Sequence, residues 1–217
     1  METFNYTTHT EKILADLYTP VAVYMRLRDI YPQSALMESS DYHGNDNSRS
    51  FIGIHPMANI QVGHGVIRST YPDGTVDETV IDTSVKGKAK DAVANAINDF
   101  ISHFKVEGEG KDFCGLYGYT TFNAVRYFED IDVKDATMEK NDAPDIYYIM
   151  YRDVIVFDHF NNSMQIISLA EDASDITDIL RAINKQNIKP YSFKPIGETT
   201  STLTNEEHKA NVRKCVK

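Results

Sequence analysis

Three apolar runs, residues 146–151, 154–159 and 163–169, follow one another with only Arg152-Asp153 and Asn161-Asn162 read as their links. Each run is rich in Ile, Val, Tyr and Phe and too short for a buried helix, so each reads as a strand. A two-residue link can only return a strand antiparallel to its neighbour, because a parallel crossover needs a dozen or more residues. An antiparallel meander in the second half of the chain is therefore the firmest constraint on the fold.

The first half agrees with it. Pro72-Asp73-Gly74 is a strong turn between 66–71 and 75–81, which should pair as a hairpin with the second strand partly exposed. Residues 50–54 and 58–62 read as two further strands, with Gly63-His64-Gly65 as the link into the hairpin. Residues 113–120 form an aromatic strand in which Gly115 and Gly118 allow close backbone approach.

Thr19-Pro20 caps and opens a helix whose spaced apolar residues are Val21, Tyr24, Leu27 and Tyr31, with Pro32 as its stop. Residues 88–104 carry the best amphipathic stripe, and 174–187 a second one built on Ile176, Ile179, Leu180 and Ile183. Thr204-Asn205-Glu206-Glu207 is a capping box that starts a last helix. About eight strands, mostly in hairpins, with helices packed on the outer face make an α+β fold with mostly antiparallel sheet.

Charge and cysteine usage exclude several function classes. In 217 residues there are 22 basic and 32 acidic side chains, a net charge of −10, with no basic stripe to offset it. Such a surface repels phosphate backbones, so no nucleic-acid partner is expected. Cys114 and Cys215 lack a CxxC partner and are expected as reduced cytosolic thiols. Neither a signal segment nor an apolar run of membrane-spanning length is present, so a soluble, cytoplasmic protein without membrane contact is expected.

Catalytic motifs are missing as well. Gly63-His64-Gly65 lacks a third glycine, and Gly87-Lys88 and Gly110-Lys111 lack the upstream glycine and the following hydroxyl of a phosphate loop. His55 and His64 read as loop residues, and pairs such as Asp130/Asp132 and Asp172/Asp175 as solvated turns or helix starts. No catalytic residue and no metal ligand is assigned within the chain.

One stretch remains. Ala35-Leu36-Met37 gives way without a break to Glu38-Ser39-Ser40-Asp41. An apolar segment fixed in a core, with a carboxylate and hydroxyls emerging at its end, suits a small polar ligand carrying a positive group. Taken by itself, the same stretch is a buried strand running into a polar turn.

Three segments in order carry a resemblance. They are Leu36-Met37-Glu38-Ser39-Ser40-Asp41 with Ser50-Phe51-Ile52; Gly115-Leu116-Tyr117-Gly118-Tyr119 with Ala124-Val125-Arg126-Tyr127-Phe128-Glu129; and Pro144-Asp145-Ile146 with Val154-Ile155-Val156-Phe157-Asp158-His159. Together with Leu17-Tyr18-Thr19-Pro20-Val21, they make the chain similar to the amino-terminal region of anthranilate synthase component I, a chorismate-utilising enzyme.

That resemblance implies a lyase that converts chorismate and ammonia to anthranilate and pyruvate with Mg²⁺. The ammonia comes from glutamine through an amidotransferase component II, and tryptophan inhibits. The family's chorismate and Mg²⁺ residues lie in a carboxy-terminal part beyond this chain, so the resemblance implies a regulatory domain over 1–203 and the start of the catalytic domain over 204–217, inactive alone.

The residues implied to bind the tryptophan effector are Met37, Glu38, Ser39 and Arg49, with Glu38 for the ammonium and Arg49 for the carboxylate or for orienting Glu38. Arg126, in the second of these segments, is read as a structural ion-pair partner of Glu129 at helical spacing. Two other readings stand beside it: aminodeoxychorismate synthase component I, and a free-standing amino-acid-binding module.

Overall fold

Strands β4 (Arg49–Gly63) and β9 (Ile146–Asp158) pair antiparallel over nearly their whole length, from Arg49 opposite Asp158 to Val62 opposite Ile146. The computed structural model describes residues 3–39, 48–81, 88–129, 131, 143–185, 194–198 and 200–216. Where two strands were expected over 50–54 and 58–62, one continuous strand is found, and Arg152-Asp153 lies inside β9 instead of turning the chain. A register shift between Pro56 and Ala58 absorbs the break, with His55 at φ 54°. A bulge can hold a proline and a strained residue that a regular ladder would reject. His55 is thus a strand residue, not a loop residue.

The remaining strands flank these two. On one side β10 (Ser163–Ser168) returns along β9 through a turn in which Asn162 has φ 49°, and β2 (His9–Leu14) pairs with β10. β3 (Ala35–Met37) lies on the first half of β4, and β5 (Val66–Thr70) on its second half. β6 (Val76–Val80) closes the expected hairpin as a largely exposed edge strand. β8 (Leu116–Thr120) adds to the first half of β9. One parallel pair stands outside this antiparallel sheet: β1 (Phe4–Thr7) with β7 (Phe104–Glu107). The α+β class with mostly antiparallel sheet holds.

Helix α1 (Pro20–Leu27) begins at the Thr19 cap, whose hydroxyl accepts the Ala22 N–H at 3.2 Å. It buries Pro20, Val23 and Leu27, while Val21 is 42% exposed, so the inward face is rotated from the expected Val21-Tyr24 line. α1 and α3 (Ser174–Lys185) cover Ile52, Ile54, Ile155, Phe157, Met164 and Ile166. α2 (Lys88–Ser102) packs near Ile60, Val62, Ile146 and Met150. It ends before Phe104, which belongs to β7. α4 (Asn205–Cys215) has its full capping box and no buried residue.

Alternate residues of β9 serve opposite faces: Ile155 and Phe157 meet the helices, whereas Val154 and Val156 join a third cluster with Tyr151, Phe51, Phe113 and Tyr117. This third cluster underlies the site described next. The expected polar loop over 42–47, the Asp130/Asp132 pair and the end of the helix at Asn187 lie outside the described residues. No helix among the described residues is long and apolar enough to cross a membrane.

Candidate functional site

β3 is held by what lies beneath it. The ring of Tyr151 lies over Gly53, where an added Cβ would come within 2.3 Å of it. Its hydroxyl donates to the carbonyl of Gln33 at 3.1 Å, which ties the α1–β3 connection to the sheet. Burial raises the Tyr151 phenol to about 12, so it stays protonated as a donor. Ala35, Leu36 and Met37 then pair with Gly53, Ile52 and Phe51. A glycine inside a run of β-branched residues was the available signal for this close approach, and sequence reading passed over Gly53.

The ladder stops at Met37, and the polar end of the stretch emerges. Glu38 is exposed and Ser39 half-buried. Arg49 is two residues before Phe51, the partner of Met37, so Met37 and Arg49 share a face of the sheet. Continued two residues further, the same register would set Ser39 opposite Arg49. Three of the four residues assigned from the resemblance thus gather at one end of the β3–β4 pair, and Glu38 lies between them at the point where the chain peels away.

Arg49 is placed from two sides. Its Nε is 3.9 Å from Asp158 Oδ2, and its guanidinium carbon is 5.4 Å from the centre of the Phe113 ring. Burial would raise the Asp158 carboxyl. It is outweighed by the backbone and side-chain N–H donors of Asn161, at 2.8 and 3.0 Å, and by Arg49 and Lys12, so the group titrates below its ordinary value. Phe51 lies 6.1 Å from Phe113 and 5.6 Å from Tyr117, ring centre to ring centre, forming an aromatic floor beside the cation. Tyr117 donates to the Phe113 carbonyl at 2.6 Å, and burial raises its phenol strongly. Arg49 beside this floor offers a guanidinium and an aromatic surface, a pair that complements a carboxylate carried on a flat apolar group.

Two other clusters bear on function. His55 Nδ1 is 2.5 Å from Asp153 Oδ2, Arg152 Nε is 3.3 Å from the same oxygen, and Arg152 Nη2 is 2.6 Å from Asp175 Oδ2. The His and two Asp could face one ion. However, ligands of one ion sit roughly 3 Å apart, and Arg152 already pairs with both carboxylates. The set does not fit the oxygen shell of Mg²⁺. It explains instead how charged residues sit in mid-strand.

Arg126 ion-pairs with Asp145, nineteen residues on, and its guanidinium carbon lies 5.2 Å from the Tyr127 ring centre. Tyr127 also donates to Asp145, at 3.0 Å. The expectation of a helical pair with Glu129 thus gives way to a buried tie between the 3-10 turn Phe122–Tyr127 and the start of β9. Cys114 is half-buried, and burial pushes its thiol up to about 11, which leaves it an unreactive neutral group.

Comparison with known proteins gives one consistent result. The chain matches the family model of chorismate binding enzymes over residues 33–217. It is 27% identical over 165 residues to anthranilate synthase component 1 of Methanothermobacter thermautotrophicus, covering 75% of this chain and 32% of that protein. The same enzyme of Acinetobacter calcoaceticus is 27% identical over 203 residues, covering 91% of this chain and 38% of that one. A crystal structure of anthranilate synthase component I from Streptococcus pneumoniae aligns with TM-score 0.35 and 22% identity, over 81% of this chain and 35% of that one. The chain spans about a third of the length of the curated relatives it matches.

Proposed function

The chain belongs to the family of chorismate binding enzymes, and on that premise we propose that it is the tryptophan-sensing, amino-terminal part of an anthranilate synthase component I. The observation that supports the reading is the end of β3, where Met37 pairs with Phe51 and shares a sheet face with Arg49 beside the Phe51–Phe113 floor, and where Glu38 and Ser39 follow. Glu38 receives the ammonium of tryptophan in charge-assisted hydrogen bonds, Arg49 meets its carboxylate, and the aromatic floor takes the indole.

In this reading residues 1–203 are regulatory and 204–217 begin the catalytic domain. The remainder of a longer chain would supply the chorismate site, the Mg²⁺ ligands and the further effector contacts, and a glutamine amidotransferase would deliver ammonia. The chain alone is then inactive, and the whole enzyme acts in the cytoplasm as a lyase under feedback inhibition.

The test is an assay of the full-length gene product with chorismate, ammonia and Mg²⁺, with and without L-tryptophan. Anthranilate formation suppressed by tryptophan is the expected result. A different aromatic product, or activity indifferent to tryptophan, would move the reading to aminodeoxychorismate synthase component I. Tryptophan binding by a product with no lyase activity would leave only an amino-acid-binding module.

A further inference from the structure

Ser50 is the second residue of β4 and fully buried, yet its hydroxyl serves neither strand ladder. It accepts the backbone N–H of Ser39 at 3.1 Å and lies 2.7 Å from Nε2 of His159. These partners come from two different strand ends. Ser39 follows β3, whose ladder on β4 ends at Met37 opposite Phe51. His159 follows β9, and its own N–H donates to the Ser48 carbonyl at 3.1 Å, one rung past Arg49 opposite Asp158. The backbone of His159 is thus anchored to the long central pair, and the Ser50 hydroxyl links its ring to a short segment that has just left the sheet.

We propose that Ser50 and His159 form a latch that positions Glu38-Ser39 for the effector, acting as positioning residues and not as ligands. This rests on the effector-site reading above. A hydroxyl has two acceptor lone pairs and one proton. One lone pair takes the Ser39 N–H. With Nε2 unprotonated, the proton is donated to it, giving a directed chain from Ser39 N–H through Ser50 to His159. With Nε2 protonated, the imidazole donates to the second lone pair, and the Ser39 bond is kept.

In either case the peptide joining Glu38 to Ser39 is fixed relative to β9, the strand that also carries Asp158, the partner of Arg49. The two charges that would grip the ligand are therefore referenced to one rigid strand. The ordering of the Glu38-Ser39 turn is completed before binding, which is how preorganisation increases affinity.

The test uses the full-length gene product and reads both tryptophan inhibition and chorismate turnover. Ser50→Ala should raise the half-inhibiting tryptophan concentration about three- to tenfold, the range set by one neutral hydrogen bond. The KM for chorismate and kcat should be unchanged. His159→Ala should match it, and the double variant should be no worse than either single one, because both act through one linkage. His159→Gln, whose amide reaches toward the place of Nε2, should recover most of the sensitivity.

Full sensitivity in Ser50→Ala would overturn the latch and leave the effector site standing. Additive effects, or loss of turnover in step with sensitivity, would also overturn it by showing a general structural role. Absence of tryptophan response in the unmodified enzyme would overturn the effector reading and the latch together.

Discussion

At the end of the central strand pair, Asp158 holds Arg49 only while it is ionised. Its folded carboxyl titrates below the ordinary value of 3.8. The stabilisation it gives is therefore fully present above that value and is lost as pH falls through the lower, folded one. Asp158→Asn should be less stable than the unmodified protein near pH 7, by at most about 1 kcal/mol for a partly exposed pair. The gap should close below about pH 4, near the ordinary carboxylate pKa. Thermal midpoints measured from pH 7 to pH 3 check this, and a gap independent of pH would contradict it. Ser39 offers a second test at this scale. It is half-buried beside the emerging Glu38, so a Phe there fills the space a ligand would need. Ser39→Phe should relieve tryptophan inhibition at least tenfold while leaving chorismate turnover largely intact, and unchanged inhibition would remove the effector from this place. Sequence reading reaches such residues where the pattern is local. The Thr19 cap and the Thr204–Glu207 capping box are found as read, because each is settled within four residues. His159, which meets Ser50, and Asp145, which meets Arg126, lie 109 and 19 residues away, beyond any local pattern.

Elements were legible where turn chemistry was decisive, as at Pro72-Asp73-Gly74, and misread where polar residues imitate a turn. Arg152-Asp153 looks like a link, yet Arg152 pairs with Asp153 and Asp175, and Asp153 also meets the His55 imidazole, so β9 runs through them. His55-Pro56 looks like a break, yet the register shift keeps β4 whole. β1 and β7 were missed because a four-residue parallel pair has no hairpin signal, and Phe104 continues the spacing of α2 by coincidence. Two glycines, one just before β8 and one inside it, show what such reading leaves open. Gly115 and Gly118 look equivalent in sequence. A Cβ on Gly118 would lie 1.9 Å from the Tyr147 carbonyl oxygen, whereas one on Gly115 meets nothing within 4 Å. Backbone cannot give way as a flexible side chain does, so Gly118→Ala must push β8 off β9. It should cost about 3 kcal/mol or more, against about 0.5 kcal/mol or less for Gly115→Ala. Denaturant melts of the two variants check this, and equal midpoints would mean that β8 is not docked as described.

At the scale of the whole molecule, the proposed function puts the effector site and the chemistry in different parts of a longer enzyme, and that separation would have a thermodynamic consequence. The chain matches about a third of the length of its relatives. If tryptophan at the end of β3 weakens chorismate binding in the remainder, linkage requires chorismate to weaken tryptophan by the same factor. The factor expected for such coupling is about 5- to 150-fold. Calorimetric titration of the full-length product with tryptophan, with and without saturating chorismate and with Mg²⁺ left out to suppress turnover, should give two dissociation constants. Their ratio should equal the ratio of chorismate constants measured with and without tryptophan. On the proposed division, the chain by itself would lack the coupled half, so its affinity for tryptophan should be weaker and indifferent to chorismate. Equal tryptophan affinity of the full-length product in both titrations, alongside inhibition of turnover, would mean that tryptophan acts on catalysis without opposing substrate binding. The site proposed at Glu38 and Arg49 would then control a catalytic step and not occupancy of the chorismate site.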